Sequence, residues 1–110
     1  GSLISEIFEI IEEDKKMAEQ LSPELAYLKA EMLYAVTHEG AQSVDDVLSR
    51  RTRIAFEASD GGESIAPLVA TLIAPALGWD AAAKKASVSE FTKQLKNERA
   101  ALDKLLTRTR

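Results

Sequence analysis

Residues 34–56 hold the side chains of this sequence that are best suited to chemistry, including its single histidine. His38 and Glu39 begin like the zinc-protease motif H-E-x-x-H, in which two histidines one helical turn apart bind the metal. Gln42 stands where the second histidine would be. The sequence therefore argues against a zinc site, and His38 is better explained as a polar residue at a helix end, near the negative pole of the helix dipole.

Three arginines, Arg50, Arg51 and Arg53, follow in the same segment and are the candidate contact residues. Arginine can bind phosphate, and a helix, a glycine turn and a second capped helix resemble the outline of a helix-turn-helix protein. These arginines come late in their helix, and the net charge of the chain is −4, which argues against nucleic-acid binding. We expect them to pair with carboxylates, which the planar guanidinium binds through two hydrogen bonds; the candidates are Glu31, Glu39, Asp45 and Asp46.

The sequence offers few of the residues and motifs that enzyme active sites use. There is no cysteine, which excludes thiol catalysis, disulfides and cysteine-based zinc sites. Gly61 and Gly62 form a bare pair, whereas a dinucleotide site needs G-x-G-x-x-G directly after a strand. No Ser/His/Asp set has a spacing that suggests catalysis. We therefore assign no catalytic, cofactor-binding or metal-ligating residue.

Two predicted helices position the histidine and the arginines. Ser22 can cap a helix that has Pro23 in its first position, where a missing N–H costs nothing, and Gly40 suits the left-handed residue after its end. Ser43 and Asp46 form the pattern S-x-x-D of a capping box, which starts the next helix. Its apolar positions, predicted to face the core, are Val44, Val47, Leu48, Ile54, Ala55 and Ala58.

The remaining chain predicts three further helices. The apolar stripe of the first helix favours burial in the core; it consists of Leu3, Ile4, Ile7, Phe8 and Ile11. Ser64 can cap the fourth helix, and Pro75 should kink or loosen its last turn. Gly78 suits a left-handed helix end, with Trp79 mostly buried beside it and Asp80 capping the last helix. The later stripe of that helix contains Phe91, Leu95, Leu102, Leu105 and Leu106.

The fold class that follows is all-α, a bundle of about five helices with a long C-terminal helix. We predict helices at residues 3–20, 23–37, 44–57, 64–77 and 81–106, in one domain covering residues 1–110, where Gly1-Ser2 fits a tag remnant. No stretch alternates with period two for long enough to predict a strand. The most apolar stretch, residues 65–79, contains two prolines and is shorter than the ~20 residues of a membrane span.

Several segments together resemble the C-terminal helical domain of FAD-dependent glycerol-3-phosphate dehydrogenases. They are residues 23–28 (PELAYL), residues 45–53 (DDVLSRRTR) and residues 77–80 (LGWD) followed by a charged helix. The second is the most specific, and the resemblance covers nearly all of the chain after its first few residues. Pro75 departs from the pattern, because an ordinary helix former is expected there, and the flavin-binding half of such an enzyme is absent from these residues.

The resemblance implies a non-catalytic C-terminal accessory domain that buttresses the catalytic half or binds a partner. The full-length parent would oxidise glycerol 3-phosphate to dihydroxyacetone phosphate in glycerol metabolism, with FAD taking the hydride and electrons passing to quinone. Its partner would be the flavin-binding half of the same polypeptide, contacted by Arg50, Arg51, Arg53 and part of the first helix, and a homodimer is a further expectation. It implies a cytoplasmic location, with the parent peripheral on the cytoplasmic membrane. The alternative is a free-standing helical protein-interaction module.

Overall fold

Helices build most of the chain, and two very short strands interrupt them. The computed structural model describes residues 3–52, 54–58 and 60–108. Its elements are α1 (Leu3–Glu13), a 3₁₀ turn (Lys15–Ala18), β1 (Gln20–Ser22), β2 (Leu25–Leu28), α2 (Lys29–Thr37), a π-helical segment (Asp46–Arg51), α3 (Ile54–Glu57), α4 (Ala66–Leu77) and α5 (Ala81–Arg108). The predicted bundle of about five helices with a long C-terminal helix is confirmed as the main architecture, with a small two-stranded sheet added to it.

A small antiparallel hairpin replaces the predicted start of the second helix. Gln20 lies opposite Leu28 and Ser22 lies opposite Leu25, so Ser22 does not cap a helix and Pro23 is part of a turn. The prediction of a helix from Pro23, and that of no strand, were wrong. The helix starts instead at Lys29, because the Glu31 carboxylate accepts the Leu28 N–H at 2.7 Å and so satisfies a group at the helix start.

The first helix is shorter than predicted, because an aspartate ends it. α1 stops at Glu13, and the Asp14 carboxylate accepts the Lys16 N–H at 3.1 Å, which starts the 3₁₀ turn. Glu19 follows the 3₁₀ turn and contacts Lys29, the first residue of α2. The Lys29 ammonium lies 2.6 Å from the Glu19 carboxylate. This hydrogen bond lowers the pKa of Glu19. The pair joins the end of the 3₁₀ turn to the first residue of α2.

The helix that carries the arginines is capped as predicted but divided in the middle. Ser43 Oγ accepts the Asp46 N–H, and the Asp46 carboxylate accepts the Gln42 N–H, each at 3.0 Å. Beyond this cap the helix widens, since the Thr52 N–H donates to the Val47 carbonyl five residues back at 3.0 Å. Thr52 is extended, at φ −129° and ψ −179°. The predicted helix at residues 44–57 is therefore wrong as one unbroken element.

The core forms around this divided helix. Val44, Val47, Leu48 and Ile54 are completely buried, as the sequence predicted. The other members of the core come from the hairpin, from α2, α4 and α5 and from the turn before the divided helix; they are Leu21, Leu25, Met32, Ala35, Ala41, Ala66, Val69, Ala70, Ile73 and Phe91.

The last two helices meet at a tight glycine turn. α4 begins at Ala66 without a side-chain cap and continues two residues past Pro75; Ile65, not Ser64, stands at its N-cap position. The Ser64 N–H donates to the Asp60 carboxylate at 2.8 Å. Gly78 ends α4 with φ 71° and ψ 28°, and Asp80 caps α5 by accepting the Ala83 N–H at 2.8 Å, both as predicted. Trp79 packs against the edge of the core with only a minor part of its side chain exposed, as predicted.

Candidate functional site: the Arg51 cleft and the exposed edge of the first helix

The structure separates the arginines that the sequence grouped together. Arg50 is 73% exposed, and its guanidinium lies 3.6 Å from the Asp46 carboxylate one turn earlier in the π-helical segment. A surface pair of this kind stabilises a protein by only about 0.3–0.5 kcal/mol. Arg53 lies outside the described residues. Arg51, by contrast, lines a cleft between elements, and it is the arginine on which a contact surface can be built.

The Arg51 cleft has a volume of about 130 Å³ and joins α1 to the arginine segment. Within the described part of the chain, the Arg51 guanidinium forms no ion pair. Two carboxylates, those of Glu31 and Glu39, line the same cleft. The residues lining the cleft are Ile7, Tyr27, Glu31, Tyr34, Glu39, Arg51 and Thr52.

Tyr34 forms part of the wall of this cleft. Its ring stacks on the His38 ring, with centroids 4.7 Å apart and planes inclined by 8°. Burial raises the pKa of the Tyr34 phenol, and its hydrogen bond to the Glu6 carboxylate on α1 raises it further. The phenol therefore stays a hydrogen-bond donor at neutral pH, and it ties α1 to α2 beside Arg51.

His38 occupies the helix-end position that the sequence predicted. It follows α2 directly, and its Nδ1 lies 2.7 Å from the Thr37 hydroxyl. No group of three or more His, Asp or Glu side chains in the described ranges is arranged to hold a metal ion.

The outer side of α1 is exposed and apolar, which corrects the expectation that its whole stripe enters the core. Ile4 is 66% and Phe8 is 59% exposed, while Ile7, Ile10 and Ile11 are half-buried. The stripe is wider than the neighbouring helix α2 can cover, so two large side chains remain on its outer edge. Ile4 and Phe8 lie one helical turn apart and therefore form a small apolar patch on the outer side of α1.

Other important residues carry no recognisable signal in the sequence. Ser87 is buried, and its hydroxyl accepts the Val44 N–H at 3.0 Å across 43 residues. Arg99 donates to the Asp60 carbonyl oxygen at 2.8 Å and ties α5 to the loop before α4. These contacts join positions far apart in the chain, so periodicity and motif spacing cannot find them. Glu31 and Glu39, predicted as candidate partners of the arginines, line the same cleft as Arg51, whereas Tyr34 was visible only as a helix residue until the fold placed it there.

The fold defines a small, mostly helical domain whose surface carries the Arg51 cleft and an exposed apolar edge of α1. A family model described as the C-terminal domain of alpha-glycerophosphate oxidase matches residues 1–84. The chain belongs to this family, and the resemblance inferred from its motifs is confirmed. None of the helices in the described residues is both long enough and apolar enough to span a membrane.

Curated relatives agree with this family. Glycerol-3-phosphate dehydrogenase 2 of Mycobacterium tuberculosis (strain ATCC 25618 / H37Rv) is 36% identical over 98 residues, which are 89% of this chain and 17% of the relative. Glycerol-3-phosphate dehydrogenase of Mycobacterium leprae (strain TN) is 38% identical over 81 residues, 74% of this chain and 14% of the relative. This chain therefore spans less than a fifth of either relative. No solved structure matches it significantly.

Proposed function

We propose that this chain is a non-catalytic C-terminal accessory domain of an FAD-dependent glycerol-3-phosphate dehydrogenase. The full-length parent oxidises glycerol 3-phosphate to dihydroxyacetone phosphate, the flavin takes the hydride, and electrons pass to quinone. Membership of the family and the names of the relatives support this proposal. The small share of each relative that the chain spans, 17% or less, fits a domain whose flavin and substrate sites lie elsewhere in the polypeptide.

The role of the domain is to buttress the catalytic half of that polypeptide. One observation carries this part: the exposed Ile4 and Phe8 lie on the same helix as Ile7, which lines the cleft of Arg51. Protein interfaces are enriched in aromatic residues and arginine, and the Arg51 guanidinium can take a partner carboxylate through two hydrogen bonds. An interdomain contact of ~600–1,500 Å² would cover this surface.

Location and partners follow from the parent enzyme in this proposal. The domain is cytoplasmic, and any peripheral contact with the cytoplasmic membrane is made by the parent. A homodimer is compatible with this role, provided that it uses a surface other than the one facing the catalytic half.

A free-standing helical interaction module is the alternative. The coding sequence upstream of this segment distinguishes the two functions. An accessory domain would be preceded by several hundred residues that contain a Rossmann glycine fingerprint. If the natural polypeptide begins near Leu3, the alternative is favoured.

The interdomain surface is tested in the full-length polypeptide. Phe8→Asp and Arg51→Glu should lower the thermal midpoint of the flavin-binding half and accelerate FAD loss, measured by flavin fluorescence. Lys85→Glu is the matched control, since it reverses an exposed charge on α5. If all three variants retain FAD as the unmodified enzyme does, the buttressing role is wrong.

A further inference from the structure

The π-helical segment changes the side of its helix on which Arg51 lies. Val47 and Leu48 are completely buried, and Arg51 follows them by four and three residues. Residues three and four apart share one face of a regular α-helix, so Arg51 would there continue the buried face. Arg51 is nevertheless exposed and lines the cleft. The widened turn therefore places the arginine outside the core, and it avoids the large cost of burying an unpaired charge.

Thr52 makes the hydrogen bonds that hold the widened turn. Its N–H donates to the Val47 carbonyl oxygen at 3.0 Å, and its hydroxyl donates to the same oxygen at 2.8 Å. The hydroxyl oxygen also accepts the Ile54 N–H at 3.3 Å. Because Thr52 is half-buried, these hydrogen bonds are stronger than they would be in water. One hydroxyl therefore bridges the break between the π-helical segment and α3.

We propose that Thr52 is a positioning residue, whose hydroxyl holds the π-helical turn and so places Arg51 where it contacts the catalytic half of the parent. This inference rests on the proposed function, which takes Arg51 as a contact residue. The role requires a hydroxyl, since serine makes the same hydrogen bonds and valine, which has the same shape as threonine, makes none. Single π-helical turns within helices are frequent at functional sites.

The segment has an α-helical alternative when the hydroxyl is removed. In an α-helix each N–H bonds the carbonyl four residues back, so the N–H groups of residues 51 and 52 would donate to Val47 and Leu48. Residue 51 would then lie on the buried face. The charge of arginine opposes this arrangement, whereas cysteine, which behaves as a small apolar residue, fits it.

Thiol labelling of the 110-residue chain reports on the position of residue 51, because the chain has no cysteine of its own. Arg51→Cys should react with a maleimide about as fast as Arg50→Cys, since both positions are exposed. Adding Thr52→Val to Arg51→Cys should slow the reaction about tenfold or more, because a buried thiol reacts only when the segment opens. Adding Thr52→Ser should leave it fast.

Arg50→Cys in the same backgrounds is the control for this labelling. Position 50 lies four residues after Asp46 and away from the buried face, so its reaction should be equally fast with threonine, valine or serine at position 52. If Arg51→Cys reacts at one rate in all three backgrounds, the proposal is overturned, because the hydroxyl would then not hold the turn.

A double-mutant cycle in the full-length polypeptide tests whether Thr52 acts through Arg51. Thr52→Val and Arg51→Ala should each accelerate FAD loss. The double variant should lose FAD no faster than Arg51→Ala alone, because both changes remove the same contact. Thr52→Ser should lose FAD at the rate of the unmodified enzyme. Effects that add would mean that Thr52 supports the domain independently of Arg51, which contradicts the proposal.

The two experiments distinguish this inference from the proposed function. If Arg51→Ala leaves FAD loss unchanged while the labelling depends on Thr52 as expected, the buttressing role of Arg51 is wrong and its positioning by Thr52 holds. If Arg51→Ala accelerates FAD loss and Thr52→Val changes neither measurement, the positioning role is wrong. Circular dichroism checks that each variant folds. Should Thr52→Val unfold the chain, Thr52→Ala replaces it in both experiments.

Discussion

Ser87 is a buried polar side chain that holds α5 to the start of the divided helix. Its hydroxyl accepts the Val44 N–H at 3.0 Å, and Ser87→Ala would leave that buried N–H without its acceptor. An unsatisfied buried donor costs about 1–3 kcal/mol. Urea unfolding should show that loss, while Ser89→Ala, an exposed serine on the same helix, should change stability by less than about 0.5 kcal/mol. Equal midpoints for the two variants would contradict the role of Ser87.

Gly61 combines a left-handed backbone with a crowded environment. Its φ is +71°, and an added Cβ would lie 2.8 Å from Leu95 Cδ1 and 3.3 Å from Arg99 Nη2. Gly40 has a similar φ of +79° with nothing within 4 Å of an added Cβ, so Gly40→Ala isolates the backbone strain of about 1–2 kcal/mol.

Gly61→Ala should lower the free energy of unfolding by about 1 kcal/mol more than Gly40→Ala does, because the Leu95 side chain must move and lose contacts with the core. Thermal unfolding of the two variants measures the difference. A Gly61→Ala chain as stable as Gly40→Ala would mean that Leu95 moves aside without loss.

Asp60 organises the loop before α4, and its carboxylate gives this loop a pH dependence. The Ser64 hydroxyl and the N–H groups of Ser64 and Gly62 donate to the carboxylate, which lowers the pKa of Asp60. The folded chain therefore binds this proton less readily than the unfolded chain. The stabilisation is complete above the unfolded pKa of about 3.9, and it is lost as the pH falls through the lower folded pKa.

Asp60→Asn should lower the free energy of unfolding by about 1 kcal/mol at pH 7, and its difference from the unchanged chain should shrink as the pH falls below about 4. Denaturant unfolding between pH 7 and pH 2.5 provides the comparison. Glu90→Gln, which neutralises an exposed carboxylate on α5, is the control. A difference that stays constant with pH would contradict this account.

At the scale of elements, the divided helix is the centre of the fold. Leu48 is completely buried among core residues, so Leu48→Ala removes apolar contacts and leaves a cavity, at a cost of about 2–5 kcal/mol. The same substitution at Leu102, which is 55% exposed, is the matched control at a low chain concentration. Urea midpoints test the pair, and a neutral Leu48→Ala would show that this helix is peripheral.

The whole molecule leads to an expectation about activity. FAD carries the redox chemistry of its enzymes, and we expect its cradle to lie in the catalytic half of the parent. The purified chain mixed with FAD and glycerol 3-phosphate should therefore remain colourless and reduce no artificial electron acceptor. Full-length enzyme prepared in parallel is the positive control. Stoichiometric flavin on this chain, with turnover, would overturn the accessory-domain proposal.

The sequence by itself determined the features that depend on neighbours within one or two helical turns. The helix cap at Ser43, the left-handed end at Gly78 and the cap at Asp80 were predictable, because each is set by hydrogen bonds or backbone angles over a few residues. Helical spacing of apolar residues likewise predicted the fold class, and residues 45–53 carried enough local pattern to indicate the family.

Only the tertiary structure decided which surfaces are covered. An apolar stripe has the same spacing whether another element packs on it or not, so the exposure of Phe8 and Leu102 could not be predicted. The hairpin before α2 depends on pairing between segments too short to show a period of their own. Arg51 lies in a cleft with α1, away from Arg50, because α1, α2 and the π-helical segment pack together. That packing depends on contacts between residues that are distant in the chain.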